Sequence, residues 1–219
     1  MNYLPALFVS CDVEDIKLHG EAFSGPSRMV WGKHYDTVVL VSIDPCGASG
    51  KLHLNGEGSA AEKVYSLLKD NGLSPVVNPG GVSERRQQLN TLLSQRVTDL
   101  VEIRLSTGMA LLDYQDVGRS LTLLRKQGAL VISLDERKGL HCSRYGGAYN
   151  NYLRGILKRW VSGDSYVPSD MGSSLCLSDS AACVLNVAFS MGDFKFPQRI
   201  FSKHMSHGSN SAFGYGWLQ

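Results

Sequence analysis

Charge of one sign is scarce in this chain: 22 Lys and Arg stand against 20 Asp and Glu in 219 residues, a formal net charge of +2. No run of about five or more basic residues occurs, so the electrostatic footprint of a nucleic-acid binder is missing and nucleic acid is not an expected partner. Long hydrophobic runs are missing too. No apolar stretch approaches the roughly 18 residues that a membrane-spanning helix needs, and the opening MNYLPALFVSCDVED lacks the basic start of a secretory signal. A cytoplasmic chain is expected, with any membrane contact confined to its periphery. Cysteine is sparse: Cys11, Cys46, Cys142, Cys176 and Cys183 form no CxxC pair, and five cannot all pair within one chain. Reduced thiols are expected, and neither a metal nor a tightly bound cofactor.

What is present is an ordinary globular composition, 43% apolar and 19% charged, which excludes disorder and collagen-like repeats. The length suits one domain. TVVLVSI (37–43) is a short β-branched run of the kind buried in a parallel sheet. Ser59 and Glu62 read as a capping box for a helix that buries Val64, Leu67 and Leu68 and stops at Gly72. LSPVVN (73–78) reads as a second strand. Ser83 then opens a helix bearing Leu89, Leu92 and Leu93.

DLVEIRL (99–105) is a third strand. Asp113 caps a helix whose Val117, Leu121 and Leu124 face inward until Gly128, and ALVISL (129–134) follows as a fourth. This alternation predicts an α/β fold: a single domain with a mostly parallel central sheet flanked by helices. GGAYNNYLRGILKRWVSG predicts a helix with Tyr149, Tyr152, Leu153, Ile156, Leu157, Trp160 and Val161 on one face and Arg154, Lys158 and Arg159 opposite. SYVP and CVLNVAFS read as further strands. The Gly, Ser and aromatic-rich tail has no assignment.

Ligands of open α/β sheets sit at the carboxyl ends of strands, which directs attention to two clusters. The first, DPCGASGKLHLNGEG (44–58), holds Asp44, Cys46, His53 and Glu57. It is not a phosphate loop, because Leu52 stands where the magnesium-binding hydroxyl belongs. HGEAF (19–23) with PCGAS (45–49) offers pieces of a zinc deaminase, but Ser49 replaces the second cysteine. On a helical turn His53 and Glu57 would share one face, and the carboxylate could orient the imidazole as a general base. They could equally be loop decoration. Cys46 is either a nucleophile exposed on a strand-to-helix turn or an inert buried thiol. The second cluster, Asp135-Glu136-Arg137-Lys138, ends the fourth strand. It reads either as the rim of a ligand crevice, with Asp135 meeting a polar substrate, or as a charged loop chosen for solubility.

Around that cluster, Leu112-Asp113, Leu124-Arg125-Lys126-Gln127-Gly128 and Asp135 resemble a segment of the late lipid A acyltransferases, a branch of the lysophospholipid acyltransferase superfamily. The order of strands and helices is similar over about 130 residues, Thr37 to Ser169. The resemblance implies transfer of an acyl group from a CoA or acyl-carrier-protein thioester to a hydroxyl or amine. It implies His53 as base, Glu57 as its orienting acid, backbone N–H groups of the glycine-rich turn for the oxyanion, and Arg104, Arg125 and Lys126 for the donor's phosphates. The family's His, four residues, acid signature is shortened here to HLNGE, with three. Two alternatives stand beside it: an acyltransferase fold that has lost its dyad and binds a ligand or partner, and a Rossmann-like methyltransferase.

Overall fold

In chain order the elements are β1 (Ala6–Cys11), β2 (Thr37–Ile43), β3 (His53–Asn55), α1 (Gly58–Asp70), β4 (Val76–Asn78), α2 (Ser83–Leu93), β5 (Asp99–Leu105), α3 (Leu111–Lys126), β6 (Leu130–Glu136), α4 (Gly146–Val161), α5 (Asp179–Met191), β7 (Gln198–Lys203) and β8 (Ala212–Trp217). They come from a computed structural model that describes residues 4–11, 35–44, 50–93, 97–136, 146–164, 179–203 and 212–217. Cys46, Cys142, Cys176 and the strand expected at SYVP lie outside these residues, as do the side chains of Ser83 and Leu92.

The strands form one sheet in the order β4-β3-β5-β2-β6-β1-β8-β7. β5, β2, β6 and β1 run parallel to one another at its centre. β3 joins β5 antiparallel, with β4 parallel to β3. β8 joins β1 antiparallel and β7 joins β8 antiparallel. The expected α/β class, with a mostly parallel sheet between helices, is what the chain adopts. After β2 the chain moves to β3 and β4 on one side of the sheet, whereas after β6 it moves to β7 and β8 on the other. The connections therefore diverge between the neighbours β2 and β6, the kind of strand pair beside which ligands of open α/β sheets are bound.

Residues alternate between the two faces of each strand. One face carries Phe8, Val39, Val41, Val101, Ile103 and Val131, and packs against α1, α3, α4 and α5. The other carries Leu7, Val9, Val38, Leu40, Leu100 and Ile132, and meets Leu89 and Leu93 of α2. α3 and α5 approach so closely that a Cβ added at Gly118 would sit 1.9 Å from Ser190 Oγ and 2.4 Å from the Val187 carbonyl oxygen. Gly128, at φ +90°, ends α3 as expected.

Several expectations need correction. CVLNVAFS is helical, lying within α5. Residues 181–191 are all buried, so no polar stripe marks the helical period and the run imitates a buried strand. The Ser59–Glu62 capping box does not form, because α1 starts two residues earlier than that box requires, with Glu57 at its N-cap and no side-chain cap bond. Asp113 does cap α3, its carboxylate accepting the Ala110 N–H at 3.1 Å. On α4, Tyr149, Leu153, Ile156 and Leu157 are buried, while Val161 is exposed. β1, a central strand, and β8, inside the unassigned tail, were not anticipated. No helix among the described residues is long and apolar enough to cross a membrane.

Candidate functional site

The residues nominated from sequence fall in different places. His53 opens β3, a strand and not a helical turn, opposite Arg104 of β5. Glu57 follows that strand. At a rise of about 3.3 Å per residue the four-residue step spans roughly 13 Å, so the two side chains are carried to opposite edges of the sheet. Glu57 lines a hollow of about 240 Å³ at the amino ends of the parallel strands, with Gly80, Gly81, Arg86 and Asp99. The helical His53–Glu57 dyad is therefore not assembled.

Arg125 is also displaced from its expected role. It is buried, and its guanidinium donates to the carbonyl oxygens of Leu4 at 2.7 Å, Met191 at 2.5 Å and Trp217 at 3.5 Å, tying chain ends together. α3 runs back from the carboxyl edge, so its last residues, Arg125 and exposed Lys126, end far from His53. Phosphate capture by that pair at the His53 edge is ruled out by position. Asp44 ends β2, where its N–H donates to the Leu105 carbonyl at 2.8 Å.

The two acids that close β6 divide between the sheet's faces. Asp135 turns to the helix-covered face, where it accepts from Ser10 Oγ at 2.8 Å and from the Tyr149 hydroxyl at 2.6 Å. Nearby on that side, burial pushes the Tyr215 phenol up to about 12, against the lowering influence of Arg154 and Arg199. Glu136 turns to the other face and pairs with Arg85 of α2, whose Nη2 donates to its carboxylate at 2.8 Å.

Arg85 leads to the residue that sequence reading overlooked. Glu102, at the middle of β5 and wholly buried, accepts from four side chains: Ser42 Oγ at 3.0 Å, Arg104 Nε at 3.1 Å, Asn55 Nδ2 at 3.2 Å and Arg85 Nε at 3.2 Å. Burying a carboxylate is costly unless it is paired and hydrogen-bonded, and here both conditions are met. The network continues outward. Asn78 Nδ2 reaches Asn55 Oδ1 at 3.3 Å and lies 3.3 Å from His53 Nδ1. Its signal was present in DLVEIRL: an acid at the centre of an apolar strand with an Arg two residues on projects both charges to one face. Asn55, Asn78 and Arg85 carry no such local signal.

The result is a polar band across one face, from Glu136 through Arg85 and Glu102 to Arg104 and His53. Arg104 is 35% exposed and uses only Nε on Glu102. Its terminal nitrogens and His53 Nε2 are left at the carboxyl edge. Among the described residues no three His, Cys, Asp or Glu side chains converge as a metal-holding set.

No family model matches this chain, and no curated protein matches it. Its structure is similar to the crystal structure of an uncharacterized protein, JW3007, from Escherichia coli K12, at a TM-score of 0.63 and 12% identity over 97% of this chain and 99% of that one. At that identity the likeness is one of fold alone.

Proposed function

We propose that this protein is an enzyme acting on a small anionic substrate at the carboxyl edge of its sheet, with acyl transfer from a CoA or acyl-carrier-protein thioester as the reaction. The observation that carries the reading is the cross-strand pair His53–Arg104. Directly opposed residues of antiparallel strands hold their Cβ atoms about 5 Å apart, close enough for both side chains to grip one ligand group. In acyl transfer the acceptor oxygen or nitrogen attacks the thioester carbonyl carbon, and the carbonyl electron pair moves onto oxygen. The tetrahedral oxyanion then re-forms the carbonyl and expels the thiolate as the C–S bond breaks, and the acceptor's proton passes to that thiolate, giving the free thiol. N–H groups of Arg104 and His53 hold the anionic group of the substrate and so position it for this attack.

A second reading is favoured by one specific observation. With Glu57 at the far edge, the orienting acid of an acyltransferase dyad is missing, as in a fold that has kept a ligand site and lost its chemistry. A panel of acyl thioesters, followed by intact mass and thiol release, separates the two. Transfer is expected, with His53→Gln lowering kcat/KM by about 10²-fold at unchanged melting temperature. Full activity in that variant overturns the assignment of His53. No transfer from any thioester, with ligand binding intact, leaves the binding protein.

A further inference from the structure

We infer that the outward ends of His53 and Arg104 form a carboxylate-binding subsite in which Glu102, acting through Asn55 and Asn78, holds His53 as its Nε2–H tautomer. The inference rests on the preceding reading only for where the substrate sits.

A carboxylate such as Glu102 accepts hydrogen bonds and donates none. Asn55 must therefore turn its Nδ2 toward Glu102, which leaves Asn55 Oδ1 facing Asn78. That oxygen requires a donor, so Asn78 presents its NH₂ group inward. The second hydrogen of the same nitrogen meets His53 Nδ1. A ring nitrogen facing an N–H keeps its lone pair, and in neutral imidazole the proton is then on the other nitrogen, Nε2. Amide orientations are ordinarily assigned by choice. Here the buried acid removes the choice.

The outward ends of this pair consequently offer donors alone: the terminal guanidinium nitrogens of Arg104 and the Nε2–H of His53. His53 is thus a donor to an anion and not the proton acceptor expected from sequence. The arginine fork selects the ligand. Arg85 and Arg104 already meet the two carboxylates of the band, Glu102 and Glu136. A planar, singly charged carboxylate matches the fork of Arg104 and asks less than a phosphate dianion of a guanidinium already shared with Glu102.

The test is ¹⁵N NMR of the imidazole of the full chain, with the His53 signals assigned by their loss in His53→Gln. Neutral wild type is expected to show a protonated Nε2, and Asn78→Asp, which accepts from Nδ1, to show a protonated Nδ1. A protonated Nδ1 in wild type overturns the relay. Acetate is expected to shift the His53 Nε2 resonance and to bind at least about tenfold more weakly to Arg104→Gln, a loss of about 1.4 kcal/mol. Equal acetate binding by Arg104→Gln, or inorganic phosphate binding more tightly than acetate, overturns the subsite. None of these readouts requires turnover, so failure of acyl transfer leaves them unaffected.

Discussion

The two faces of the central sheet are built from alternate residues of the same strands, yet they solve burial in opposite ways. On one face Val101 and Ile103 of β5 disappear into an apolar cluster beneath α1. On the other, Glu102 and Arg104, one residue on from each, enter a band of two carboxylates and two guanidinium groups. Apolar burial of this kind needs no orientation and stabilises by area. The charged band gains little net stability, because desolvation consumes most of its attraction. What it supplies is direction: each side chain is held in one orientation by named partners. The difference concentrates apolar burial on the helix-covered face and oriented charge on the other.

Glu102→Ala tests this division most severely. Arg85 and Arg104 would lose a shared acceptor that sits at full burial, and breaking such a set costs about 3–5 kcal/mol. Both guanidinium groups reach some water, at 16% and 35% exposure, so the lower end, about 3 kcal/mol, is expected by urea denaturation. Glu102→Gln keeps the volume and should cost distinctly less. A Glu102→Ala protein of wild-type stability would show the band to be dispensable for folding.

On the opposite side, Gly118→Ala sharpens the comparison. The new methyl group would meet Ser190 Oγ and the backbone of Val187 well inside contact distance. Ser190 can turn its hydroxyl aside, but the carbonyl oxygen moves only with α5. A loss of about 2 kcal/mol is expected, read as a lower urea midpoint at unchanged slope. His53 and its acetate response should not change, because the added carbon lies beyond the far face of the sheet.

How much of this could be read beforehand follows the same physics. β2, β5, β6 and α3 were legible because each pairs a clear periodicity with local stop signals. α5 was not, since burial on every side erases the helical period, and β3 was not, since three residues carry no pattern and pairing with β5 alone makes them a strand. For the site, His53 and Arg104 were legible as residue types at a strand end. Their pairing was not, nor was the replacement of Glu57 by Asn78, because the first depends on β3 lying beside β5 and the second on β4 lying beside β3. The same holds for Arg125: a basic residue near a glycine stop looks like a phosphate ligand until the carbonyl oxygens around it are known.

The mildest substitution isolates burial as the cause of the contrast. Asp116 and Arg119 form an ion pair on α3 at 2.6 Å, closer than the contacts of Glu102 with its two arginines, but their side chains are 36% and 50% exposed. Water competes for both groups, salt screens them, and ordering two flexible side chains offsets the remaining attraction. Asp116→Ala is therefore expected to change stability by less than about 0.5 kcal/mol, with even that difference fading at high salt. If charge pairing as such stabilised this fold, Asp116→Ala and Glu102→Ala would cost similar amounts. If solvent access decides, as the two faces indicate, the Glu102 loss is several times larger and persists in salt, and comparing the two urea midpoints at low and high ionic strength distinguishes these outcomes.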